Sequence, residues 1–219
     1  MTAPTRHHYL PQFYLERFCR DGVLWVFDRD LKEFRRQTPN NTAVERHYYT
    51  IIDDVGNRDT TMESLLSQIE GETKPVIDKI DNGEEISDTE KEMLSLFAGF
   101  LKTRVPDFEK SINQMSAQLM KKVNKVIFSN NESVTALMTR SEAETGEKSE
   151  LSAEELMAFV QDEQYEIVMH RNFSLGMMVE LSAESAKYFR QMDWLLFHAP
   201  DKTSFREKKW GQHFTLYSW

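Results

Sequence analysis

The sequence predicts an α+β protein with a mainly helical body, and three observations carry that reading. Between about residues 60 and 192, apolar side chains recur at helical spacing behind repeated capping signals. Residues 7–52 instead hold short aromatic and β-branched runs separated by turn signals. From about 193 to 218 the chain returns to strand-like runs. Strands at both ends of a helical middle predict one small antiparallel sheet, built from about 23–52 and 193–218. A length of 219 residues suits a single domain over 1–219, with a motif helix and β-meander in 1–55, a helical body in 60–192 and terminal strands in 193–219.

Each element follows from its residues. Pro11 has the fixed φ of a first helical turn, and Leu10, Phe13, Tyr14 and Phe18 then share one face. Asp21-Gly22 turns the chain, and strands are expected over 23–27 and 34–38. A polar loop at 39–42 precedes the run 43–52. Thr60 with Glu63, Ser87 with Glu90, and Ser152 with Glu155 have capping-box spacing, which opens helices at about 61–81, 88–104 and 152–162. A further helix over about 107–128 carries Ile112, Met115, Leu119, Val123 and Ile127, and another is expected over about 164–192. The polar stretch 129–151 reads as a mobile connection with at most one weak helical turn. Residues 194–197 and 213–217 read as the terminal strands.

Composition removes several function classes. No apolar run reaches the roughly 18 residues of a membrane span, and the first ten residues lack a signal-peptide core. The single Cys19 forms no internal disulfide and suits a reducing, cytoplasmic setting, as a small packed thiol. The net charge of −9 makes the whole a poor non-specific partner for nucleic acid. That charge is uneven. Residues 1–50 hold eight basic and six acidic groups (+2), and the remainder holds nineteen and thirty (−11).

Titratable groups gather before the first helix. Arg6, His7 and His8 precede Pro11, and Gln12 lies in the first turn, where free N–H groups and the helix dipole favour an anion. Arg6, Gln12 and Arg104 are the ligand-binding candidates; His7, His8 and Glu45 are the catalytic ones, with an imidazole as general acid or base. Against this stands a simpler role, in which one histidine caps the helix and Arg104 complements the end of another before Pro106. A divalent metal held by His7, His8, His47 and Glu45 is an open option, but no HExxH spacing supports it and the cofactor is unassigned. The chain has no P-loop, GxGxxG, GxSxG or paired-cysteine zinc pattern.

The run His8-Tyr9-Leu10-Pro11-Gln12-Phe13-Tyr14-Leu15-Glu16-Arg17-Phe18 is specific. With Leu24–Asp28, Asn41–Glu45, Tyr48-Tyr49, Leu96–Ala98, Thr103–Pro106 and Trp194–Leu196, it resembles the domain-of-unknown-function family numbered 4238, mainly microbial proteins. The resemblance implies a fold and a site location, not an activity. Such relatives continue into a Ser-Asp-x-Pro element, which residues 203–214 lack, so a shortened member is one expectation.

Two functions of different classes follow. One is a phosphate- or anion-binding domain, a hydrolase or nuclease-type effector acting on a phosphate-bearing substrate. The other is a non-catalytic helical interaction module, an inactive family member, with a protein partner or a second copy as a homodimer. Whether the chain is an enzyme stays open at this point, and no membrane is implicated.

Overall fold

A computed structural model describes residues 5–53 and 55–195. The elements run β1 (Arg6–His8), α1 (Gln12–Glu16), β2 (Leu24–Asp28), β3 (Glu33–Gln37), a single 3₁₀ turn (Pro39–Asn41), β4 (Val44–Arg46), β5 (Ile51–Ile52) and β6 (Arg58–Asp59). Helices follow: α2 (Thr61–Asp81), α3 (Asp88–Thr103), α4 (Pro106–Ile127), α5 (Asn131–Thr145), α6 (Ala153–Asp162) and α7 (Arg171–Gln191). The class is α+β with a helical body, as the sequence predicts.

The sheet differs in form. Among the described residues there are three separate antiparallel pairs, β1–β4, β2–β3 and β5–β6, all in the N-terminal sixty residues. Trp194 and Leu195 lie in no strand, and the rest of the expected C-terminal strands falls outside the described residues. Two more expectations are corrected. Residues 131–145 form a helix, because Asn130 caps its start by accepting from the Ser133 N–H and Gly146 ends it at φ +75°. The last long helix begins only at Arg171; residues 163–170 are not helical.

Packing divides the chain into two compact units, Met1–Glu109 with Leu175–Trp219, and Lys110–Ser174. The first holds the main core: Tyr48, Tyr49, Met62, Leu66, Ile69, Phe97, Phe100, Leu175 and Met178 are all buried. The N-terminal motif anchors there, with the Phe13 and Tyr14 rings 5.7 and 6.2 Å from that of Phe97. Leu15 is the buried residue of α1, whereas Phe18, expected on its apolar face, is half exposed. Helices α3 and α7 touch through backbone at Gly99, where a Cβ would lie 2.4 Å from the Ser182 carbonyl oxygen. Beside it, the Thr103 and Ser182 hydroxyls are 2.5 Å apart, and Ser182 donates to the Met178 carbonyl, so this buried polar seam is satisfied.

In the second unit, α5 and α6 pack together, and Val134 and Val160 are their buried residues. Here α4 exposes Met115, Leu119, Met120, Val123, Val126 and Ile127, while polar Lys121 and Lys125 turn inward to Glu163. Among the described residues no helix is long and apolar enough to cross a membrane.

Candidate functional site between β1 and α2

Helix α2 presents Glu63, Leu66, Ser67 and Glu70 at positions i, i+3, i+4 and i+7, a single face. Strand β1 lies over that face. Together with Tyr49 and Arg104 they enclose a polar pocket of about 130 Å³ lined also by Arg6, His7 and His8. That is well under the roughly 300–1,000 Å³ of a drug-sized ligand site, so it admits one functional group, not a whole ligand.

The inner wall is closed by pairing. Arg104, at the C-terminal cap of α3, is 2% exposed. It ion-pairs with Glu70 at 2.8 Å, donates to the His8 carbonyl at 2.7 Å and to the Tyr49 hydroxyl at 3.1 Å. Burial alone would lower the guanidinium pKa; Tyr49 and Glu70 reverse this and raise it, so Arg104 stays charged. The Tyr49 hydroxyl is held protonated chiefly by its own burial.

His7 is also spoken for. Its Nδ1 accepts the Tyr49 backbone N–H at 2.9 Å, which places the ring proton on Nε2, 3.3 Å from a Glu63 oxygen. The ring stacks on Tyr49 at 5.7 Å and is almost fully buried. With both nitrogens engaged, His7 joins β1, α2 and the core; it has no lone pair left for a substrate proton.

The rim is different. His8 Nε2 lies 3.1 Å from the Gln12 amide nitrogen and 3.2 Å from the Asn40 carbonyl. One ring nitrogen cannot accept from the first and donate to the second at once. Asn40 O already receives a bond from Arg6 at 2.9 Å, and Arg6 also donates to Asn41 Oδ1 at 3.0 Å. Burial is the main cause holding the His8 pKa below its usual 6.5, with Arg6 adding to it. At neutral pH His8 is therefore an uncharged base.

Thus Arg6, His7, His8 and Arg104 of the expected set meet at one pocket, and Gln12 joins through His8 and Asn40. Glu45 does not. It faces His7 in the β1–β4 register, yet it is exposed and absent from the pocket lining. Helix α1 has only five residues, with Pro11 as its cap, so its own peptides add little to the expected anion site. His47 lies 6.3 Å from His7, ring to ring, but no group of three or more His, Cys, Asp or Glu among the described residues could hold a metal. Sequence reading missed Glu63, Ser67, Glu70 and Tyr49. The signal was present as two glutamates seven apart on one helix, but Glu63 is read as a capping residue. Asp59 caps α2 instead, accepting from Thr61 N–H and Oγ.

The fold, then, is a small helical α+β protein whose N-terminal motif supplies both core anchors and pocket lining. The chain belongs to the family described as protein of unknown function DUF4238, which it matches over residues 6–206. No curated protein and no solved structure matches it.

Proposed function

We propose that the pocket receives an anionic group, a phosphate in the lead reading, at the end of a larger substrate, and that His8 acts there as general base in a hydrolytic reaction. One observation carries this. The deep cation Arg104 is spent on Glu70, whereas Arg6 at the rim donates to the neutral Asn40 and Asn41 oxygens. A charged guanidinium beside a neutral imidazole is an anion clamp next to a proton acceptor. Glu63 and Glu70, paired with His7 and Arg104, keep the inner wall from being net positive, so the anion sits at the rim beside Arg6 and His8. A reducing, cytoplasmic compartment suits the lone Cys19 thiol, whose pKa burial pushes up.

The test is turnover of single- and double-stranded DNA, RNA and a generic phosphodiester by the parent, His8→Ala and Arg6→Ala, with Mg²⁺, Mn²⁺ or chelator. The expected result is loss of at least about a hundredfold in His8→Ala with folding intact, the usual scale of a general base. No turnover by the parent on any substrate overturns the hydrolytic reading.

The second reading is a non-catalytic interaction module. It is favoured by α4, whose outward apolar stripe from Met115 to Ile127 is of the kind that marks a protein partner or a homodimer. A strictly monomeric parent that captures no partner through this stripe removes that support.

A further inference from the structure

We infer that the outward face of the β2–β3 ribbon is a stacking platform for single-stranded nucleic acid. Strand register decides which side chains share that face. Trp25 pairs with Arg36 and Phe27 with Phe34, so these four project together. All are open to solvent, with Trp25 64%, Phe27 49% and Phe34 68% exposed. The ribbon's aliphatic residues and its carboxylates take the other side. Leu24 is buried there, and Asp28 is tied to Arg35 at 2.8 Å. Three rings and a guanidinium thus form a surface without a carboxylate from either strand.

The chemistry of that surface selects its partner. Arg36 lies 5.8 Å from the Trp25 ring centroid, and the Phe27 and Phe34 centroids are 4.9 Å apart. Aromatic faces with an interleaved arginine take bases by stacking and a phosphate by charge. Trp25 and Phe27 stand two residues apart on the strand, about 6.8 Å. That is twice the roughly 3.4 Å base rise of a duplex strand, so the rings suit bases splayed from an extended single strand. The acidity of the chain does not fall here: residues 21–38 balance four basic against four acidic groups, and residues 1–50 carry +2 against −11 elsewhere. The ribbon also leads within three residues to Asn40, which holds Arg6, a second cation that among the described residues donates to the neutral Asn40 and Asn41 oxygens. The overall acidity of the chain still excludes binding driven mainly by phosphates. The inference therefore requires stacking to dominate, and it stands whether or not the pocket is catalytic.

The experiment is fluorescence anisotropy of labelled oligo(dT) and oligo(U) of about 12 nucleotides, within the usual site size. The full chain is compared with Trp25→Ala, Phe34→Ala and, as a control, Lys148→Ala, an exposed cation outside both the ribbon and the pocket. Expected are binding by the parent, a loss of about tenfold in Trp25→Ala and no competition by duplex. The salt slope should be shallow, matching about two phosphates. Lys148→Ala should bind like the parent, which ties any loss to the ribbon and not to surface charge in general. Circular dichroism of each variant excludes a folding defect, and because both rings are exposed, truncation leaves the core untouched. No binding by the parent, or binding that both ribbon variants retain, overturns the inference. So does a parent dimer that Trp25→Ala dissolves without any oligonucleotide binding, which would make the ribbon a protein interface.

Discussion

Arg104 and Arg6 line the same pocket, one at its base and one at its rim, and their surroundings give them different work. Arg104 is buried and finds a carboxylate, a phenol and a carbonyl in place. Arg6 is exposed and, among the described residues, donates to the neutral Asn40 and Asn41 oxygens. The two histidines repeat the contrast: His7 has both nitrogens engaged in the core, and His8 has one nitrogen contested at the surface. A buried polar group must bring its partners with it, so it becomes architecture. A rim group can exchange partners with a ligand, and adjacent residues of one short strand fall into the two categories because side chains alternate.

Breaking the inner half should give the largest effect. Arg104→Ala takes its charged donor from Glu70, the Tyr49 hydroxyl and the His8 carbonyl, and should cost about 3–5 kcal/mol, the scale for removing one partner of a buried pair. Urea unfolding measures it; a cost under about 1 kcal/mol would make Arg104 a site residue and not a structural one. Next comes the seam behind it. Gly99→Ala drives a methyl to 2.4 Å from backbone oxygen of Ser182, so α3 and α7 must separate, at about 1–3 kcal/mol. Thermal unfolding should drop accordingly, and an unchanged midpoint would show that the two helices slide freely.

The rim should barely move stability, and it does so with a definite sign. His8 has a folded pKa lowered from 6.5, chiefly by burial, so the folded state binds fewer protons just below that pH. Its contribution is present above pH 6.5 and is lost as pH falls from there toward the lowered folded value. His8→Gln should flatten that small decline while leaving stability above pH 7 nearly unchanged. A variant with the same slope as the parent would assign the decline to another group.

Much of this was legible in the residues. Ser87 with Glu90 and Ser152 with Glu155 do form reciprocal capping boxes, because both partners lie within one turn and need nothing from elsewhere. The Glu90 carboxyl is held at about 2 by Lys79 and the Ser87 donors. Thr60 with Glu63 has the same spacing and fails, since Asp59 reaches the Thr61 N–H and His7 takes Glu63. Helix α5 was hidden by its weak apolar periodicity, although Asn130 and Gly146 marked both ends. The site split in the same way: Arg6, His7, His8, Gln12 and Arg104 stood out as residues, but their grouping did not. Glu63, Ser67 and Glu70 are far from β1 in sequence and look like an ordinary helix face.

The sequence by itself therefore determined most of the helices, though not α5 or the start of α7, together with the β2–β3 ribbon, the family and the residue types available for chemistry, because caps, turns and periodicity act over a few residues. Only the tertiary structure decided which arginine is spent and which is open, which histidine keeps a lone pair, and that Glu45 stays outside the pocket. Those outcomes depend on contacts between segments up to 96 residues apart, such as Arg104 with the His8 carbonyl, where burial and pairing fix each group's charge and availability.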